Sequence, residues 1–177
     1  MSEVRDGVRA PARTQLPQAT RKRIQQLLED KRQMPGALLP ILHDIQDAVG
    51  YVPPEVVGEI AAALNLSRAE VHGVVSFYHH FRSAPAGHTV VQICRAEACQ
   101  SMGSERLWSH ACSHLGLSDG EHGTGHDTTA DGAFTLQPVY CLGLCSSSPA
   151  MLLDDKLHAR VDTEKFDSLV AAARSAT

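Results

Sequence analysis

The chain has 177 residues, 43% of them apolar and 20% charged, proportions that support a packed core and exclude wholesale disorder; the length suits one domain or two small ones. Sixteen basic residues against twenty acidic ones leave a net charge of −4, the wrong sign for a nucleic-acid binder. No apolar run approaches the ~18 residues of a membrane helix, and residues 1–20 lack the apolar centre of a signal peptide, so a cytoplasmic protein without a membrane segment is expected.

Charge is uneven along the chain. Half of the sixteen basic residues but only four of the twenty acidic ones fall in residues 1–35. Arg5, Arg9 and Arg13 alone would suggest an organelle transit peptide, but Glu3 and Asp6 stand among them, and residues 1–17 read as a disordered, solvated tail.

Residues 18–82 repeat the period of an amphipathic helix. Ile24, Leu27 and Leu28 form the first stripe; Leu38, Ile41, Leu42, Ile45 and Val49 form the second, which ends at Gly50. A third helix starts at Pro53-Pro54, where a first-turn proline is tolerated, and carries Val57, Ile60, Ala61 and Leu64 inward. The fourth opens on the capping box Ser67-Arg-Ala-Glu70 and buries Val71, Val74, Val75 and Tyr78. Four short helices with brief connections predict a small bundle, and since they hold no chemical residues, docking to a partner is their expected use.

Ser83-Ala-Pro-Ala-Gly87 breaks this pattern. His88–Ile93 reads as a central strand, apolar on both faces; residues 104–116 form a helix with Leu107, Trp108, Ala111, Cys112 and Leu115 inward. Leu117–Gly132 is a Gly/Asp-rich loop, and Ala133–Tyr140 a second strand with Phe134, Leu136 and Tyr140 on one face. A hairpin of Met151–Leu153 and Lys156–Val161 turns at Asp154-Asp155, and a last helix, capped by Asp162 or Thr163, buries Phe166, Leu169, Val170 and Ala173. The expected fold is a two-part α+β chain, a four-helix bundle over 18–82 followed by a thioredoxin-like α/β domain over 88–177.

Chemistry concentrates in the cysteines. Five are present, an odd number that argues against a disulfide framework, and four form two tight pairs: Cys94-Arg-Ala-Glu-Ala-Cys99 and Cys141-Leu-Gly-Leu-Cys145. If a right-handed crossover joins the two strands, they run parallel, and both pairs meet at one sheet edge as a four-thiolate pocket. Spacing alone leaves structural zinc and a [2Fe–2S] cluster both open, while the Cys-x-x-Cys of a thioredoxin redox pair is absent.

The remaining candidates read as structural. Cys112 sits on the apolar stripe of its helix as a small buried hydrophobe. His79 and His80 end the helical region, and His122 and His126 stand beside Asp119, Glu121 and Asp127 as solvated loop residues. His43 and His72 are exposed or hydrogen-bonded helix residues, and Trp108 is core. Arg95 either offsets negative charge near the cysteines or points to water. No Ser/His/Asp order, phosphate loop or dinucleotide fingerprint occurs, so the chain carries no visible catalytic machinery.

Helices followed by Cys-x4-Cys, about forty residues and Cys-x-Gly-x-Cys resemble the 24-kDa [2Fe–2S] subunit family of respiratory complex I and of soluble NAD-linked dehydrogenases. Gly50-Tyr-Val-Pro53 and Phe77-Tyr78 belong to the likeness, which covers roughly residues 22–173. Within it the chain is most similar to the gamma subunit of NAD-dependent, molybdenum-containing formate dehydrogenase, on Pro35–His43, Phe77–Arg82, Cys94–Gly103 and Val139–Cys145. It departs from the complex I pattern at Ser146-Ser-Ser-Pro149, in place of an Asn-Ala-Pro ending.

The resemblance implies that Cys94, Cys99, Cys141 and Cys145 ligate a [2Fe–2S] cluster, two thiolates per iron. It further implies that FMN and NAD lie on a neighbouring flavoprotein subunit and formate oxidation on a molybdenum subunit. A nicotinamide transfers two electrons as hydride and the cluster changes by one, so a flavin stands between them. The same role in complex I or an NAD-linked hydrogenase, and a zinc-stabilised interaction module, are the competing readings.

Overall fold

A computed structural model describes residues 16–118 and 127–176. Most of the predicted tail lies outside the described residues, as do Asp119, Glu121, His122 and His126; Leu16 packs against the helical core.

Helix α1 (Gln18–Lys31), α2 (Leu38–Val49), α3 (Val57–Leu64, led in by a 3-10 turn at Pro54–Val56) and α4 (Arg68–Phe77) come first. Their inward stripes, from Ile24 to Val71, share one hydrophobic cluster. Polar contacts across the helices agree with that packing: Lys31 pairs with Asp44 at 2.5 Å and Arg21 with Glu59 at 3.0 Å. The capping box on α4 is formed in full, with Ser67 Oγ accepting from the Glu70 amide and the Glu70 carboxylate from the Ser67 amide. Hydrogen bonding to the Ser67 amide, and then to its side chain, holds the Glu70 carboxyl below its ordinary range.

Tyr78 does not complete the α4 stripe. The helix ends at Phe77, Tyr78 turns to extended backbone and lies exposed, and Phe81 enters the core instead. Gln46, buried among apolar neighbours, holds that turn: its Nε2 donates to the His80 carbonyl at 2.8 Å and its Oε1 accepts from the Arg82 amide at 2.7 Å. Arg82 O accepts from the Val52 amide as well. The periodicity does not distinguish Gln46 from a surface glutamine, because only the returning segment supplies its partners.

Beyond this lie β1 (Thr89–Cys94), α5 (Glu97–Ser101), α6 (Ser104–Leu115), β2 (Asp127–Thr128), β3 (Phe134–Val139), β4 (Met151–Leu153), β5 (Lys156–His158) and α7 (Thr163–Ala176). The sheet order is β2-β3-β1-β4-β5. β1 and β3 are parallel, Thr89 opposite Phe134 and Cys94 opposite Val139, and the other pairs are antiparallel. Val91, Ile93, Phe134, Leu136 and Met151 pack with α6 and α7 in a second core that includes Phe166 and Val170. The Asp162 carboxylate caps α7 by accepting from the Lys165 amide at 2.8 Å.

Several boundaries differ from expectation. β1 spans Thr89–Cys94, one residue later than expected; it is the central strand, with Val91 and Ile93 on one face and Val90 and Gln92 on the other, where Gln92 donates to Gln137 across the strands at 3.0 Å. β3 stops at Val139, and Tyr140 leaves the sheet to lie 61% exposed. β5 is shorter than predicted, and α5 and β2 arise where loops were expected, since elements of five and two residues carry too little pattern to read.

β1 approaches β3 through Gly87, whose amide donates to Thr135 Oγ1 at 2.7 Å. A Cβ there would sit 2.8 Å from Gly132 O and 2.9 Å from Phe134 C, both backbone atoms that cannot swing aside. Gly87→Ala is therefore expected to destabilise the chain by about 1–3 kcal/mol, measured by denaturant unfolding.

Candidate metal centre

Parallel pairing of β1 and β3 delivers the cysteines. Cys94 is the last residue of β1, and Cys99 lies on α5, five residues on. Cys141 follows two residues after β3, and Cys145 opens a 3-10 turn over Cys145–Ser147. Cys94 and Cys99 are buried in a small cluster with Ala150, lined by Ala96, Val139, Leu142 and Leu144, whereas Cys141 and Cys145 are exposed. The loop between the outer pair is tight: Cys141 has φ +85° and Gly143 φ +77°, the left-handed region that suits glycine and strains cysteine.

The sulfurs sense one another. Cys141 Sγ and Cys145 Sγ are 3.7 Å apart. Burial pushes the Cys94 thiol up, but hydrogen bonds from the Ala96 amide, the Cys99 side chain and the Cys141 and Leu142 amides outweigh it and leave Cys94 lowered. Cys145 is pushed up, first by its hydrogen bond with Cys141 and by the Cys141 charge, then by burial and by Cys99 and Cys94. Four thiolates this close repel, and a cationic metal core relieves that repulsion as it displaces the protons.

Cys141 and Cys145 form one close thiol pair, and the Cys94 and Cys99 side chains, which hydrogen-bond to each other, form the second. Two such pairs suit a two-iron group, one pair to each iron, and four thiolates also suit a tetrahedral zinc, so the donor set by itself fits both.

Ser148 is the one serine of the Ser146–Ser148 run placed among the sulfurs. Its Oγ donates to Cys145 O at 2.8 Å and accepts from Cys99 Sγ at 3.5 Å, tying the two thiol pairs together. Arg95 forms a two-point ion pair with Glu105, at 3.0 and 2.5 Å, and its guanidinium lies 4.8 Å from the centre of the Trp108 ring, with the side chain 28% exposed. Cys112 lies in the second core, on α6. The amide donors from Ala96, Cys141 and Leu142 escape sequence reasoning because any residue type supplies them; the only signal was the glycine in Cys-x-Gly-x-Cys. Ser148→Ala is expected to cost about 0.5–1.5 kcal/mol in denaturant unfolding with the slope unchanged, the worth of the hydrogen bond that joins the pairs.

The thioredoxin-like [2Fe–2S] ferredoxin family matches residues 24–174. The chain is 33% identical over 141 residues to NADH-quinone oxidoreductase subunit 2 of Thermus thermophilus, a likeness that covers 79% of this chain and 75% of that protein. It is 29% identical over 163 residues to NADP-reducing hydrogenase subunit HndA of Solidesulfovibrio fructosivorans, covering 92% of each. Among solved structures, an NAD+-reducing [NiFe]-hydrogenase in the H2-reduced state superposes with a TM-score of 0.59 at 24% identity, a likeness of fold over 78% of this chain and 22% of that one. With the family matched from the first helix to the last, and with both cysteine pairs inside the match, the chain belongs to the thioredoxin-like [2Fe–2S] ferredoxin family.

Proposed function

We propose that Cys94 and Cys99 hold one iron and Cys141 and Cys145 the other of a [2Fe–2S] cluster, and that the chain is an electron-transfer subunit of an NAD-linked oxidoreductase complex. The observation that carries this reading is the convergence of two separated thiol pairs at one sheet edge in a chain of this family. When bound, the cluster accepts and returns one electron at a time. The protein's part is to hold the four thiolates, to direct the Ala96, Cys141 and Leu142 amides at the Cys94 sulfur, and to leave Cys141 and Cys145 at the surface. Amide donors favour the more negative, reduced state and so raise the potential.

On this reading the electron partner is the FMN of a flavoprotein subunit that also binds NADH, and the helical region over residues 18–82 is the docking element that holds it. The host complex is an NAD-dependent formate dehydrogenase with a molybdenum subunit, a choice resting on the stretches Pro35–His43, Phe77–Arg82, Cys94–Gly103 and Val139–Cys145. The relatives named above are subunits of an NADH-quinone oxidoreductase and of an NADP-reducing hydrogenase, and they support the NAD-linked role more broadly than the formate one.

Chain purified without oxygen is expected to carry two irons and two acid-labile sulfides. Serine at Cys94, Cys99, Cys141 or Cys145 should lose or severely weaken the cluster, and Cys112→Ser should keep it; metal and sulfide analysis checks this, and one zinc with no sulfide would refute it. NADH is expected to bleach the cluster only in the presence of the flavoprotein subunit, and the isolated chain should oxidise neither NADH nor formate. Stopped-flow absorbance reads the first, and copurification from the native host, followed by identification of the attached chains, tests the formate assignment.

A further inference from the structure

The side of α6 that meets α7 carries two histidines one helical turn apart, His110 and His114, and α7 sets Asp167 against both. His110 Nε2 lies 2.7 Å from Asp167 Oδ1, and His114 Nδ1 lies 3.1 Å from the same oxygen. These three ligand atoms are all within 4.8 Å of one another, the only such trio of His, Cys, Asp or Glu among the described residues. The i, i+4 spacing turns both rings the same way, and Phe166 stands edge-on to each, with ring centres 5.9 and 5.8 Å away. Two imidazoles and one carboxylate are the donor set of a borderline transition metal, whereas magnesium and calcium take oxygen ligands.

We propose that His110, His114 and Asp167 bind one divalent transition-metal ion, zinc being the best match to the ligands, and that the ion clamps α6 to α7. Zinc bonds of about 2.0–2.2 Å in a tetrahedron place neighbouring ligand atoms roughly 3.3–3.5 Å apart. The Asp167 carboxylate must therefore withdraw by about half an ångström from His110 and less from His114, a movement within reach of a side chain that is 42% exposed. The histidines are 32% and 36% exposed, so an ion reaches the site from solvent, and three protein ligands leave a fourth position for water. The four paired cysteines take no part, and the site stands whether or not the cluster reading holds.

The test is a calorimetric titration of ZnCl2 into the full chain with its cluster in place, and into a C141S/C145S chain in which the exposed thiol pair is gone. One equivalent is expected to bind in both. His110→Ala or His114→Gln should weaken binding by about a hundredfold or more, since loss of an outer-shell partner alone typically costs 10–100-fold. Excess zinc should raise the melting temperature of the parent chain and not that of the variants. Circular dichroism confirms that each variant is folded; should His110→Ala unfold, the half-exposed His114→Gln decides. No zinc uptake by either parent chain would overturn the proposal and leave His110, His114 and Asp167 as a polar contact between two helices. So would uptake that His114→Gln leaves intact, or that C141S/C145S abolishes.

Discussion

Parallel pairing between β1 and β3 is the constraint on which the candidate metal centre depends. Six residues of each strand align, from Thr89 opposite Phe134 to Cys94 opposite Val139, so both chains leave the sheet at the same edge. An antiparallel arrangement of the same strands would put Cys94 and Cys141 at opposite ends, about 20 Å apart at 3.3 Å per residue, beyond any shared metal. Parallel strands require a crossover, and α6 supplies it while covering the sheet with Leu107, Trp108, Ala111 and Leu115. The first contact of the pairing, at Gly87, leaves no room for a side chain, which shows how closely the two strands are drawn together.

The centre is built asymmetrically. Cys94 and Cys99 lie inside, Cys94 under amide hydrogen bonds, and Cys141 and Cys145 lie outside on a loop that bends through the left-handed region twice. Backbone amides of Ala96, Cys141 and Leu142 stabilise negative charge on the Cys94 sulfur. Arg95, next in sequence to Cys94, is committed to Glu105 and Trp108, and so braces the start of α6 against the end of β1. The inner half is buried and the outer half open, an arrangement suited to electron exchange across an exposed edge.

The helical region meets this edge through its last residues. His79 follows the exposed Tyr78, and its ring is 6.3 Å from that of Tyr140, the residue before Cys141. Gln46 and Val52 fix the backbone on either side of Phe81, so the segment that reaches the loop is held by hydrogen bonds to α2 and to the turn after it. Histidine interactions extend the brace: the His80 ring is 5.1 Å from His43, and burial, with the His43 and Arg82 charges, lowers its affinity for a proton.

Repeating patterns were legible in the sequence because they are local. The stripes of α1 to α3, the Ser67 and Glu70 capping box, the apolar face of α6 and the turn at Asp154 follow from periods and propensities within a dozen residues, and two short cysteine pairs announce a metal by composition alone. Tertiary structure decided whatever depends on distant partners or on backbone direction. Tyr78 and Tyr140 leave their predicted faces because their elements end one residue sooner, and Phe81 takes the buried place. Gln46 is buried because residues 80 and 82 return to it, and Arg95 is paired because Glu105, ten residues on, is brought beside it. His110, His114 and Asp167 carry no common motif, since 52 residues lie between His114 and Asp167. They meet only because α6 and α7 pack side by side on one sheet, and side-chain chemistry assembled by helix packing leaves no period for a sequence to display.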